Sequence, residues 1–286
     1  MRLGYYTAGT PAALDALAEK LDIYGLSAVW PSLDGLSDEE CVALGERARA
    51  LGIVLGEAGM WENILTADPE LRDQRIRKTR DLLRKADLAG VKCVVTLAGS
   101  MDPSGRSLAP DARNYTEACK RELREVVLRI LDGLALKRVR YGIEPWHNTF
   151  FYQPEEIREF IDRVGHPAFG LHLDQMNMVS QASYHNTTEL INKTFRLLAD
   201  RAWSVHLKDI RCDPGHMFLK WDEVRIGDGV MDYETYLRRL ADLPADTPCF
   251  CEHFKSEGDY AICFARLHHL AKKADVRFLC RGEASG

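Results

Sequence analysis

Glu144, Asp174, His206 and Glu252 stand at the ends of short apolar stretches, and side chains of these types could together hold a divalent cation. In residues 169–174 the apolar Phe169, Leu171 and Leu173 fall on one face of a period-two strand, and Gly170, His172 and Asp174 on the other. A half-buried strand usually turns its polar face to water, whereas glycine, histidine and aspartate together suit the lining of a cavity. Residues 139–144, 203–209 and 248–252 repeat the design. Three carboxylates at one mouth would raise one another's pKa unless a cation neutralised them. Three oxygens and one imidazole suit Mn2+ first, with Mg2+, Co2+ or Zn2+ compatible; a structural zinc would favour thiolates. Singly, each residue is as well explained as a helix cap or a hydrogen-bonded core group. Four in consecutive units, at matching parity, are not.

The elements that must position them alternate along the chain. Strands are expected at residues 3–6, 27–30, 53–56, 92–97, 139–144, 169–174, 203–209 and 248–252. Helices are expected between them at residues 11–24, 37–51, 68–89, 112–131, 154–164, 187–198 and 232–241, and a last one at 256–273. Eight strands and eight helices in strict alternation, about 36 residues per unit, predict a single-domain (β/α)8 barrel over residues 1–286. Such barrels build their sites at the carboxyl ends of the strands, where the four residues fall. Glu144 to Asp174 spans 30 residues and Asp174 to His206 spans 32, one unit each. The 46 to Glu252 leave room for an inserted loop at residues 211–229.

A formal charge of −5 and a pI near 6.0 give no basic surplus for tracking phosphates, so no nucleic-acid partner is expected. No apolar run is long enough to span a bilayer, and the eight cysteines contain no C-x-x-C pair. The reading is a cytoplasmic protein with structural thiols, no membrane partner, and a homo-oligomer left open.

Further residues face the expected mouth. His147 could bond a substrate hydroxyl or stabilise its loop. Lys208 could pair with a substrate oxygen or with a ligand carboxylate. Trp30 and Trp61, after the second and third strands, could wall a pocket against a sugar face or pack under loops. His172, one layer below Asp174, suits a supporting partner or a core histidine, and Asp209 could orient His206 or cap the following turn.

The stretches Gly142-Ile143-Glu144, Leu173-Asp174-Gln175-Met176-Asn177, Val205-His206-Leu207-Lys208-Asp209, residues 227–233 and Cys251-Glu252-His253 resemble the sugar phosphate isomerase/epimerase family with its xylose-isomerase-like barrel. This family includes ketose 3-epimerases, hydroxypyruvate isomerases and inosose dehydratases. The resemblance implies that Glu144, Asp174, His206 and Glu252 ligate the metal, and that Glu144 and Glu252 flank the substrate as the acid/base pair. Family epimerases often carry a histidine three residues after the aspartate. Asn177 stands there in this chain, a substrate-hydroxyl partner of changed type.

The chemistry expected is enolisation of a small sugar, sugar acid or cyclitol: a proton leaves the carbon beside a carbonyl and returns to the same carbon or its neighbour. The first outcome is epimerisation, the second isomerisation. Elimination from the same intermediate would make a dehydratase or a keto-glycoside lyase. An apurinic-site endonuclease would need more histidines and a basic groove, and a non-catalytic binding barrel would have no need of four converging ligands.

Overall fold

Amphipathic periodicity and local capping account for most helix boundaries. In the computed structural model, which describes residues 1–213, 215 and 220–284, the helices are α1 (Pro11–Tyr24), α2 (Asp38–Ala50), α3 (Pro69–Ala89), α4 (Glu117–Leu131), α5 (Pro154–Val164), α6 (Thr187–Leu198), α7 (Tyr233–Leu240) and α8 (Glu257–Lys273). Ser37 and Glu40 form a reciprocal capping box on α2. Thr10, Asp68, Thr116, Asp232 and Ser256 each accept a backbone N–H of the first turn they cap. Proline begins α1, α3 and α5, where its missing N–H costs nothing.

The strands are β1 (Arg2–Ala8), β2 (Ala28–Pro31), β3 (Val54–Leu55), β4 (Glu57–Met60), β5 (Cys93–Leu97), β6 (Arg140–Glu144), β7 (Phe169–Asp174), β8 (Ala202–Leu207), β9 (Asp209–Cys212), β10 (Trp221–Val224) and β11 (Pro248–Cys251). Nine of them form one parallel sheet in the order β3-β2-β1-β11-β8-β7-β6-β5-β4. Because β3 and β4 flank Gly56 as two halves of one stave, the sheet curls into a nearly closed TIM barrel with the eight helices outside.

Three expectations change. The third strand does not stop at residue 56 but resumes at Glu57 and pairs with β5. The helix expected from residue 112 begins as a 3-10 turn, Ala112–Tyr115, before α4. The insertion expected as a loop at 211–229 contains an antiparallel hairpin, β9 with β10. Its Pro214 and residues 216–219 lie outside the described residues.

The barrel floor is filled by Phe250, fully buried, whose ring stacks on Trp30 with centroids 4.7 Å apart. A Cβ on Gly4 or Gly56 would overlap the Phe250 ring, so both positions need glycine for the ring to fit beside the neighbouring β1 and against the stave that breaks at Gly56. Cys249 and Cys251 face outward into the buried layer beneath the helices, packed as small hydrophobes.

Candidate metal centre

Parallel pairing brings the four chemistry-bearing side chains level with one another. Asp174 pairs in register with His206, His206 with Phe250 on the other side, and Glu144 ends β6 one strand away. Glu252 follows directly after β11. One ligand-type atom from each of Glu144, Asp174, His206 and Glu252 lies within 4.8 Å of the other three. His206 Nδ1 is 2.8 Å from Glu252 Oε2, 3.5 Å from Glu144 Oε1 and 3.7 Å from Asp174 Oδ2.

Lys208, two residues beyond His206 on the same face, belongs to this cluster. Its Nζ lies 2.6 Å from Asp174 Oδ2, 2.7 Å from Glu252 Oε2 and 3.7 Å from Glu144 Oε1, so it pairs with the carboxylates. Yet Asp174 Oδ2, Glu252 Oε2, His206 Nδ1 and Lys208 Nζ are all buried and none makes an aligned hydrogen bond. Buried polar atoms that converge on one point without satisfying one another fit a cation between them. The charge balance agrees, since Lys208 and His206 can supply two positive charges at most against three carboxylates.

The titration directions follow from the same crowding. Burial opposes ionisation of Asp174, but the Lys208 ammonium and His206 hold its carboxyl down at about 2. Burial likewise works against charge on Glu252, and His206 and Lys208 outweigh it, lowering its pKa. For His206, desolvation is overcome by Glu252 and Glu57, and the imidazole pKa rises well above its usual value.

Glu57 is the residue that sequence reasoning missed. Its Oε1 lies 2.7 Å from His206 Nε2 and accepts from Trp30 Nε1 at 3.0 Å. Its Oε2 lies 3.2 Å from His172 Nδ1, which also sits 2.6 Å from Ser204 Oγ. Despite its burial, the two histidines keep Glu57 ionised. An ionised carboxylate can only accept, so His206 donates to it from Nε2 and turns Nδ1 toward the carboxylate cluster, the nitrogen that would have to give up its proton to a cation. Glu57, His172 and His206 also form a second group of ligand-type atoms within 4.8 Å. An anion clasped between two imidazoles explains that group without an ion. The Glu57-Ala58-Gly59-Met60-Trp61 alternation was the available signal, hidden because the stave breaks at Gly56.

The other expected residues divide. Trp30 and Trp61 line a cavity of about 500 Å³ together with Glu144, His206, Glu252 and Trp146. Trp61 is 46% exposed. Asn177 donates from Nδ2 to Glu144 Oε1 at 2.9 Å, so it braces a carboxylate of the cluster. His172 sits below the cluster as a partner of Glu57 and Ser204. Asp209 does not touch His206; its carboxylate accepts the backbone N–H groups of Ile210, Gly227, Gly229 and Met231, so it anchors the turn before α7. His147 does not line the main cavity. It lies behind Trp146 in an adjoining compartment of about 300 Å³ with Asn177 and Trp221. His253, in the left-handed backbone region at φ 64°, places Nε2 at 3.3 Å from Glu252 Oε1 and Nδ1 at 2.9 Å from Glu223 Oε2.

Residues 16–279 match the family model of the xylose isomerase-like TIM barrel. No curated protein matches the chain. Among solved structures it is similar to endonuclease IV from Thermus thermophilus, at 18% identity and TM-score 0.68 over 96% of this chain and 100% of that one. It is similar to L-ribulose 3-epimerase at 14% identity and TM-score 0.67, over 96% and 97%. A third is the IOLI protein with a binding zinc atom, at 17% identity and TM-score 0.65 over 96% of each. At these identities the likeness is one of fold. Among the described residues no helix is long and apolar enough to cross a membrane.

Proposed function

Starting from a chain that belongs to the xylose isomerase-like TIM barrel family, we propose that it is a divalent-metal-dependent isomerase or epimerase of a small sugar, sugar acid or cyclitol, acting as one domain. The observation that carries this reading is the convergence of Glu144, Asp174, His206 and Glu252 at one end of the barrel. These four would hold the ion, with Mn2+ the first candidate. A zinc-bearing fold relative makes Zn2+ the ion to compare against it. When bound, the ion would supply positive charge against a developing oxyanion on the substrate.

The chain's own residues do the rest. Glu144 and Glu252 reach the cavity from β6 and from the end of β11, staves that are not neighbours, so one can take a proton from carbon and the other can return one. Asn177 restrains Glu144, and His253 restrains Glu252, each through the carboxylate. Trp30, Trp61 and Trp146 offer apolar faces that suit a sugar ring and shed water from the reacting carbon. Among the described residues, no lysine or arginine lines this cavity, which favours a small substrate over a nucleic-acid backbone.

The test is solvent deuterium exchange into a panel of ketoses and inososes after metal loading. Exchange into at least one compound is expected, and Glu252→Gln should abolish it. Exchange that continues undiminished in that variant removes Glu252 from the acid/base role.

A further inference from the structure

The main cavity takes its polar and its apolar lining from different sides of the barrel. Glu144, His206 and Glu252 come from β6, β8 and the end of β11, while Pro31, Trp61, Leu97 and Leu108 come from β2, β5 and the loops after β4 and β5. Leu97 is paired in register with Glu144 on the neighbouring strand, so the two side chains share the lumen face with their backbones about 4.8 Å apart. A ligand within reach of Glu144 is within reach of Leu97.

Leu108 continues this wall at the rim. Leu108 and Trp61, 40% and 46% exposed, put apolar surface into water at the cavity mouth, where a ligand would cover it. Their loops are pinned. Ser107 Oγ donates to the Trp61 carbonyl, Asn148 Nδ2 to the Leu108 carbonyl, and the buried Ser100 Oγ to the Ala109 carbonyl at 2.7 Å. The apolar rim is therefore held in place before any ligand arrives.

Hydrogen-bond capacity on that side is nearly used up. Glu57 spends its oxygens on His206, Trp30 and His172, and His253 spends its ring nitrogens on Glu252 and Glu223. The indoles of Trp61 and Trp146 carry only donors. Outside the four-residue cluster, the Thr7 hydroxyl is then the one uncommitted side-chain acceptor among the described residues lining the cavity. Beyond the carbonyl and its two neighbouring hydroxyls, a six-carbon ketose carries three more, each with a proton to place. A hydroxyl pressed on Leu97 or Leu108 would lose its water and find no partner, which weakens binding by about tenfold. A methyl or methylene group in the same place would gain from burial instead. A carboxylate or phosphate there would meet no lysine or arginine among the described lining residues.

We infer that Leu97 and Leu108 are specificity-determining residues, and that the substrate is a neutral deoxy ketose whose methyl or methylene carbon faces them where a fully hydroxylated sugar carries oxygen. This rests on the functional reading above for the end of the substrate held at the cluster, and goes beyond it in assigning what the other end bears.

Calorimetric titration of the full-length, Mn2+-loaded protein with ketoses that differ by one oxygen tests it: L-fructose against L-rhamnulose, L-tagatose against L-fuculose, and D-fructose against 6-deoxy-D-fructose. In at least one pair the 6-deoxy member is expected to bind about tenfold or more tightly, and fructose 6-phosphate no better than D-fructose. Leu108→Asn, at an exposed position that tolerates a polar side chain, supplies an acceptor and should cut that ratio by about threefold or more. The same variant controls for the different ring forms of the paired sugars, which it cannot alter. Leu97→Asn with wild-type circular dichroism should cut the ratio further. Equal or weaker binding of the deoxy member in every pair, no binding by any ketose, tightest binding by fructose 6-phosphate, or a ratio unchanged in folded Leu108→Asn overturns the inference. Failure of the enolisation reading would register separately, as absent deuterium exchange into a deoxy ketose that still binds preferentially.

Discussion

Replacing Glu57 with glutamine keeps the shape of the side chain and removes one buried negative charge. In the wild type that charge faces His206 Nε2 at 2.7 Å, Trp30 Nε1 at 3.0 Å and His172 Nδ1 at 3.2 Å. A hydrogen bond to a charged group contributes about 1.5–3 kcal/mol, and outer partners of a ligating histidine typically change metal affinity by about 10–100-fold. These ranges agree, because tenfold corresponds to about 1.4 kcal/mol. Glu57→Gln is therefore expected to weaken Mn2+ binding by about 10–100-fold, measured by competition with a chromophoric chelator. Trp30→Phe removes a different donor to the same oxygen and leaves the His206 bond, so its loss of affinity should be several-fold smaller. Unchanged affinity in a folded Glu57→Gln protein would refute the assignment of Glu57 as the group that aims Nδ1 at the cation.

Three other outcomes follow from the same cluster and its surroundings. Lys208→Met removes the one ammonium among the carboxylates, which should lower the melting temperature of the metal-free protein and raise its Mn2+ affinity by about tenfold; equal melting curves with and without metal would count against it. His206 has a raised pKa in the protein alone, so its imidazolium stabilises the fold below the unfolded value near 6.5 and loses that contribution as pH climbs through the folded value. Since a cation needs Nδ1 unprotonated, apparent metal affinity should rise with pH and binding should release a proton, detectable by calorimetry in buffers of different ionisation enthalpy. Asp209→Asn leaves fewer acceptor positions for four backbone N–H groups, and should speed amide exchange at Gly227, Gly229 and Met231 by about tenfold or more; protection equal to wild type would contradict the anchoring role.

The parity of residues 169–174 was enough to place His172 and Asp174 on the lumen side, because a strand in a barrel keeps strict alternation when nothing interrupts it. The same regularity made Glu144, His206 and Glu252 legible, with α1 and α5 beginning at their prolines and ending at Gly25 and Gly165, and α6 following its apolar stripe. Glu57 was not legible. Gly56 makes room for the Phe250 ring of β11, three staves away, and that long-range contact breaks the alternation just before Glu57. His147 sits three residues past Glu144, but its direction is set by packing on Tyr152 and Trp221, one of them on a hairpin far along the chain. Asp209 likewise gives no local sign that its acceptors' partners lie near residue 229. Sequence thus disclosed what alternation dictates, and tertiary packing decided the rest.

The central claim is that Glu144, Asp174, His206 and Glu252 jointly hold one divalent ion, and Mn2+ titration followed by electron paramagnetic resonance tests it most directly. The account predicts one tightly held Mn2+ per chain, lost or weakened at least about a hundredfold in Asp174→Asn and in His206→Ala proteins that retain wild-type circular dichroism. Binding of the same stoichiometry and affinity in both variants would contradict it.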